Sequence, residues 1–200
     1  MQIRRNPKPH CTSCGRGVDR AGTLCAACKK TRPHFGRAHS ACLYEGALKE
    51  IVHSFKYKER IRLSKILSNL MIDFAKDNLD ILDGIDAVTF VPAHKNIFKN
   101  RAFNQARLLA ENISMEFGIP LMNTIEKTIS TRHQNDLSRD ERLVNLKGSF
   151  TLKNGSRIDK MKLLLVDDIM TTGATLDECS KTLLKGGAEK ISCFTLARGT

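Results

Sequence analysis

The stretch LLLVDDIMTTGAT, residues 163–175, joins an unbroken apolar run to two adjacent aspartates and a Thr-Thr-Gly turn. KLLLVDD lacks the apolar–polar alternation of a strand with one wet face, which is the pattern of a central parallel strand buried on both sides. Parallel strands need long crossovers, usually helices, so this segment already selects an α/β architecture. The following IMTTGATLDECSKTLLKGG reads as a turn and then a helix, with Leu176, Cys179, Leu183 and Leu184 inward and Gly186 or Gly187 at its end. Ligands of open α/β sheets sit beyond the carboxyl ends of the strands, where Asp167 and Asp168 fall. The turn lies at a helix N-terminus, whose free N–H groups and positive dipole end attract phosphate. Thr171, Thr172 and Thr175 add hydroxyls, and Gly173 lets the backbone approach closely. A sugar phosphate matches all of these features, with its vicinal hydroxyls on the carboxylates and its phosphate in the turn. A Walker B role for the aspartates is excluded, because the sequence has no G-x-x-x-x-G-K-[ST] loop to partner it.

The rest of the chain supports the same class. YEGALKEIVHSFKY and the segment carrying Leu63, Ile66, Leu67, Leu70, Met71 and Phe74 have helical spacing. DAVTFVP, residues 86–92, is a short β-branched run ended by Pro92 and predicts a buried strand. FNQARLLAENISMEFG predicts a helix stopped near Gly118 and Pro120. LMNTIEK, SFTL and ISCFTLA read as further strands and LSRDERLVNL as a helix. The alternation argues for a mostly parallel sheet covered by helices. No run approaches the length of a membrane span and MQIRRNPKPH has no apolar segment, so a cytoplasmic protein is expected.

Four of the seven cysteines fall in CTSC and CAAC: Cys11, Cys14, Cys25 and Cys28. Two such turns a short loop apart can close a tetrahedron of thiolates around zinc. A redox pair lacks its usual strand–helix setting and two disulfides lack an oxidising compartment, so structural zinc is preferred. So short a segment cannot bury a core, and metal would supply its folding energy. Residues 1–40 are read as this module and residues 41–200 as the main domain, with Pro33 and Gly36 near the handover. Cys42, Cys179 and Cys193 read as small buried hydrophobes. The chain carries 33 Lys and Arg against 21 Asp and Glu, a formal +12, which favours polyanions or phosphorylated small molecules without choosing between them. Arg4, Arg5, Lys8, Arg16, Arg20, Lys29, Lys30, Arg32 and Arg37 surround the cysteines against one acid, Asp19, so the module is also a cationic knob.

In residue type, residues 163–175 resemble the phosphoribosyl pyrophosphate (PRPP) signature of type I phosphoribosyltransferases. The order of the four-cysteine module, FKYKER, VPAHKNIFKNRAFNQARLLA, LSRDERLVNLKGSF and the PRPP motif is similar to that of the ComF family of competence-associated, phosphoribosyltransferase-like proteins. Ala102 stands where that family usually shows glycine, and His133 where a proline is common.

The resemblance implies a type I phosphoribosyltransferase-like fold. Asp167 and Asp168 would hold the ribose hydroxyls, and Ile169, Met170, Thr171, Thr172, Gly173, Ala174 and Thr175 would wrap the 5′-phosphate. Pro92, Ala93 and His94 would form the diphosphate loop, with Arg101 as a diphosphate partner. The segment 131–142 would be a hood, with Arg132, Gln134, Arg139 and Arg142 as its candidates. The implied cofactors are structural Zn and Mg2+, with PRPP as substrate or ligand. The implied role is natural transformation, in the uptake or handling of internalised single-stranded DNA, with a helicase and recombination-loading proteins as partners. The alternative is a salvage phosphoribosyltransferase that joins ribose 5-phosphate to a nitrogenous base. The sequence carries no pattern that names such a base.

Overall fold

The computed structural model describes residues 3–6, 8–57, 61–93, 103–128 and 146–199. In chain order the elements are α1 (Ala26–Lys30), β1 (Arg37–Leu43), α2 (Gly46–Tyr57), α3 (Arg62–Lys76), β2 (Ala87–Phe90), α4 (Gln105–Phe117), β3 (Ile125–Lys127), β4 (Phe150–Leu152), β5 (Lys162–Met170), α5 (Ala174–Lys185) and β6 (Lys190–Arg198). β1, β6, β5 and β2 lie side by side in that order, all parallel, so β5 is central as its composition requires. Leu163, Leu164, Leu165 and Val166 are all buried. α3 packs on β1 and β6 and α4 on β5 and β2, while α5 covers β5 and β6 from the other face. Phe74 of α3 stacks on Phe194 of β6, with ring centroids 6.1 Å apart. Burying each Leu or Phe of this core contributes about 1.5–3 kcal/mol.

Four elements differ from the sequence reading. β1 was not anticipated, and it enters the sheet as an edge strand whose buried Ser40 hydroxyl meets that of Thr195 on β6 at 2.7 Å. β3 and β4 do not join the parallel sheet. They form their own antiparallel pair, with Ile125 opposite Leu152, packed against α5. β5 continues past the aspartates, because Ile169 and Met170 still pair with Ala197 and Arg198. The helix expected over 137–146 lies outside the described residues except for Leu146, which is buried.

Candidate functional site

The different lengths of the strands create the site. β2 pairs with β5 only as far as Phe90 opposite Val166, whereas β6 accompanies β5 to Met170. Val91 N–H donates to the Val166 carbonyl at 3.0 Å, so Pro92 and Ala93 leave the sheet level with Asp167. On its β2 side, the edge of β5 beyond Val166 therefore meets a loop. Asn104 is tied to the end of β2: its side chain donates to the Val91 carbonyl at 3.0 Å and caps α4 by accepting from Arg107 N–H. The sequence reading assigned Asn104 no role, although its place before a helical run is an N-cap signal.

Successive strand residues point to opposite faces, so Asp167 and Asp168 divide between the two sides of the sheet end. Each carboxylate accepts from the next backbone amide, Asp167 from Asp168 N–H at 2.8 Å and Asp168 from Ile169 N–H at 2.7 Å. Asp168 is 9% exposed. Asp167 acts electrostatically on Lys127, Cys179 and Cys193, which places it on the α5 face. Burial lowers the ammonium pKa of Lys127, opposed by Cys179 and Asp167. Lys127 is a further residue that the sequence did not single out. It lies at the end of β3, with its Nζ 5.8 Å from the centroid of Phe150.

The turn after β5 is shaped for close approach. Gly173 sits at φ 86°, and a Cβ there would come within 2.7 Å of Met170 Cε. Thr172 Oγ1 accepts from Ala174 N–H at 3.3 Å, and the first turn of α5 follows at once. The structure thus brings Asp167 through Thr175 to one end of the sheet with Pro92 and Ala93. His94, Arg101, Arg132, Gln134 and Arg139 lie outside the described residues, as do Arg142, Ala102 and His133.

The second constellation is the four-cysteine cluster. The sulfurs of Cys11, Cys14, Cys25 and Cys28 all lie within 4.8 Å of one another, with Cys14 and Cys25 at 3.6 Å. A tetrahedral zinc with Zn–S bonds of about 2.3 Å sets its sulfurs about 3.8 Å apart, so the cluster fits a structural Zn2+. Burial raises the Cys11 thiol, but backbone hydrogen bonds from Cys14, Cys25 and Ser13 outweigh it and bring it down to about 6. Burial pushes Cys14 and Cys28 up instead. Bound metal would displace those protons.

The two constellations touch. Ala38 N–H donates to Ser13 and Leu43 N–H to Arg4, so the N-terminal segment runs along the outer edge of β1. His34 N–H donates to Asp177 Oδ1, in the first turn of α5, at 2.5 Å. Arg198, at the end of β6, donates from Nη1 to the Cys14 carbonyl at 2.9 Å.

A central parallel strand that ends in two aspartates, followed by a Thr-Thr-Gly turn at a helix N-terminus, defines the type I phosphoribosyltransferase fold, here preceded by a zinc-compatible cysteine cluster. Residues 104–200 match the phosphoribosyl transferase domain family. The chain is 31% identical to "Competence protein F" of Haemophilus influenzae over 95% of its own length and 85% of that protein. It is 27% identical to "DNA utilization protein YhgH" of Escherichia coli (97% and 86% covered). To "Competence protein ComFC" of Streptococcus pneumoniae it is 28% identical (99% and 91% covered). The chain belongs to the ComF family. Among the described residues, no helix is long and apolar enough to cross a membrane.

Proposed function

We propose that this protein binds PRPP with Mg2+ at the end of β5 and acts in natural transformation, in handling internalised single-stranded DNA. The carrying observation is the placement of Asp167 and Asp168 beyond the end of β2, with Thr171–Thr175 leading into α5. The names of the relatives, competence and DNA-utilization proteins, support the cellular role.

In this reading the two carboxylates accept hydrogen bonds from the ribose hydroxyls, and each charged bond is worth about 1.5–3 kcal/mol. The N–H groups opening α5 and the hydroxyls of Thr171, Thr172 and Thr175 hold the 5′-phosphate, with the helix dipole in support. Carboxylates and substrate phosphates are the oxygen donors that Mg2+ takes, so Asp167 and Asp168 suit it. When bound, Mg2+ would neutralise charge on the diphosphate leaving group. Pro92, Ala93, His94 and Arg101 form the diphosphate side, and Arg132, Gln134 and Arg139 the hood. A guanidinium fork matches phosphate oxygens in pairs, which suits these arginines to that role. The division into a cysteine module and a main domain belongs to the same proposal, although residues 37–40 of the module already pair with β6, as do a cytoplasmic location and helicase and recombination-loading partners.

The match of residues 104–200 to the phosphoribosyl transferase domain favours one second reading, a salvage transferase acting on a nitrogenous base. Calorimetric titration of PRPP with and without Mg2+, beside Asp167→Asn/Asp168→Asn, tests the shared site. Saturable, Mg2+-dependent binding that the double variant loses is expected. Equal binding by the variant would remove the site assignment. Release of diphosphate on adding a free base would select the salvage transferase, and PRPP-responsive binding of single-stranded DNA would select the first reading.

A further inference from the structure

The cysteine module and the turn after β5 share a cavity of about 300 Å3, near the lower bound of small-ligand sites. From the module it is lined by Arg16, Lys30, Arg32 and Phe35, and from the other side by Thr172, Gly173 and Ala174. Arg198 lines it as well, at 4% exposure. The cavity therefore carries four cationic side chains against one carboxylate, Asp177, which is bonded to His34, and against Cys14 and Cys28 of the metal cluster.

Arg198 is the observation that points to a ligand. Nη1 is satisfied by the Cys14 carbonyl, and Nη2 lies 4.0 Å from Cys14 Sγ. Nε is buried with no acceptor among the described residues. A buried guanidinium with an unpartnered N–H is costly, and an anion in the cavity would offset its buried charge. Thr172, Gly173 and Ala174 at the start of α5 line the same space, so the positive end of the helix and the four cations suit the cavity to a phosphate group.

We infer that the cysteine module is one wall of the phosphate site: a phosphate seated on Thr172–Ala174 is also contacted by Arg198 and by the module's Arg16 and Arg32. Metal occupancy and phosphoribosyl-ligand binding are then linked. Four thiolates around Zn2+ carry a net charge of −2, and Arg198 beside Cys14 offsets part of it while holding the module against β6. Without metal the module has too little core to stay folded, so the cationic wall leaves the cavity. A ligand that binds both walls must in return retain the metal, by the same factor. This inference rests on the PRPP reading above.

The test uses the full zinc-loaded chain with PRPP and ribose 5-phosphate as probes; the latter carries only the phosphate assigned to the turn. Arg16→Ala/Arg32→Ala removes two exposed cavity cations and leaves zinc content unchanged. It is expected to weaken both probes by about tenfold, within the ordinary range of coupling energies. Arg20→Ala/Lys29→Ala, which removes equal charge from the module away from the cavity, leaves both affinities near wild type. Saturating PRPP slows zinc transfer to a chromogenic chelator. If wild type binds PRPP but the Arg16/Arg32 variant binds it equally well and PRPP leaves zinc transfer unchanged, this inference falls and the PRPP reading stands. If wild type binds neither probe, both fall together. Equal weakening by the two double variants would reduce the effect to general charge and also overturn the shared wall.

Discussion

Arg198, at the end of the last strand, donates to the backbone carbonyl of Cys14, 184 residues earlier, at 2.9 Å. The contact is buried and joins the sheet to the first knuckle of the cysteine cluster. Replacing Arg198 with Met keeps the aliphatic stem but leaves the Cys14 carbonyl without its donor. A buried bond to a charged group is worth about 1.5–3 kcal/mol, so thermal unfolding of Arg198→Met is expected roughly 3–12 °C below wild type. Faster loss of zinc to a chelator is expected alongside. An unchanged midpoint and unchanged zinc retention would show that the module docks without this residue.

Gly173 gives a prediction about the turn alone. Its φ of 86° is in the left-handed region, and an added methyl would meet Met170 Cε at 2.7 Å and Phe35 Cζ at 3.9 Å. The strain of a side chain at such a φ is about 1–2 kcal/mol, and the methyl also displaces Met170. Gly173→Ala is expected to unfold a few degrees lower and to bind PRPP at least about tenfold more weakly, by calorimetry. Wild-type affinity in a folded Gly173→Ala protein would mean that the ligand does not approach this backbone.

The turn and the cysteines were legible in the sequence because local rules govern them. A strand buried on both faces shows as an unbroken apolar run, a helix N-terminus shows through its small and hydroxyl residues, and thiolate pairs show through their spacing. β1 was not legible: RAHSACL mixes charge, hydroxyl and sulfur. It is a strand because β6 pairs with one edge and residues 4–6 cover the other, through Asn6 N–H to Ala41 and Leu43 N–H to Arg4. Lys127, Asp177 and Arg198 escaped for the same reason, since each takes its meaning from a partner on another element.

His39 lies on β1 at 7% exposure. Burial lowers its pKa to about 4, with the Arg37 charge adding to the effect and Asp80 opposing it. The native state therefore binds this proton more weakly than the unfolded chain, whose histidine titrates near 6.5. The stability that neutral His39 contributes is complete above about pH 6.5 and is lost as pH falls toward 4. At about 1.4 kcal/mol per pKa unit, the loss is on the order of 3 kcal/mol. Because carboxylates also titrate at the acid end, the measurement is the difference between wild type and His39→Asn in chemical denaturation from pH 7.5 to 4.5. The wild-type curve should fall more steeply. Parallel curves would place a protonated His39 in the native state.

The cationic knob around the cysteines makes the DNA half of the proposed function testable through salt. Arg4, Arg5 and Arg37 pair with Glu45, Asp77 and Asp80, so part of the knob's charge is already neutralised within the fold. Exposed pairs of this kind hold at most about 1 kcal/mol, and a polyanion can compete for them. Lys8, Arg16, Arg20, Lys29, Lys30 and Arg32 form no ion pair with a described residue and supply most of a phosphate track. If three to six of these cations neutralise phosphates, the log-log dependence of single-stranded DNA affinity on salt has a slope of about −2 to −4. Fluorescence anisotropy of a labelled oligonucleotide across a salt series measures it, and Arg20→Ala/Lys29→Ala should flatten the slope by about one unit. Binding that ignored salt would rule out the electrostatic account. It would then assign any DNA affinity to base stacking, for which a chain with no tryptophan and two tyrosines is poorly equipped.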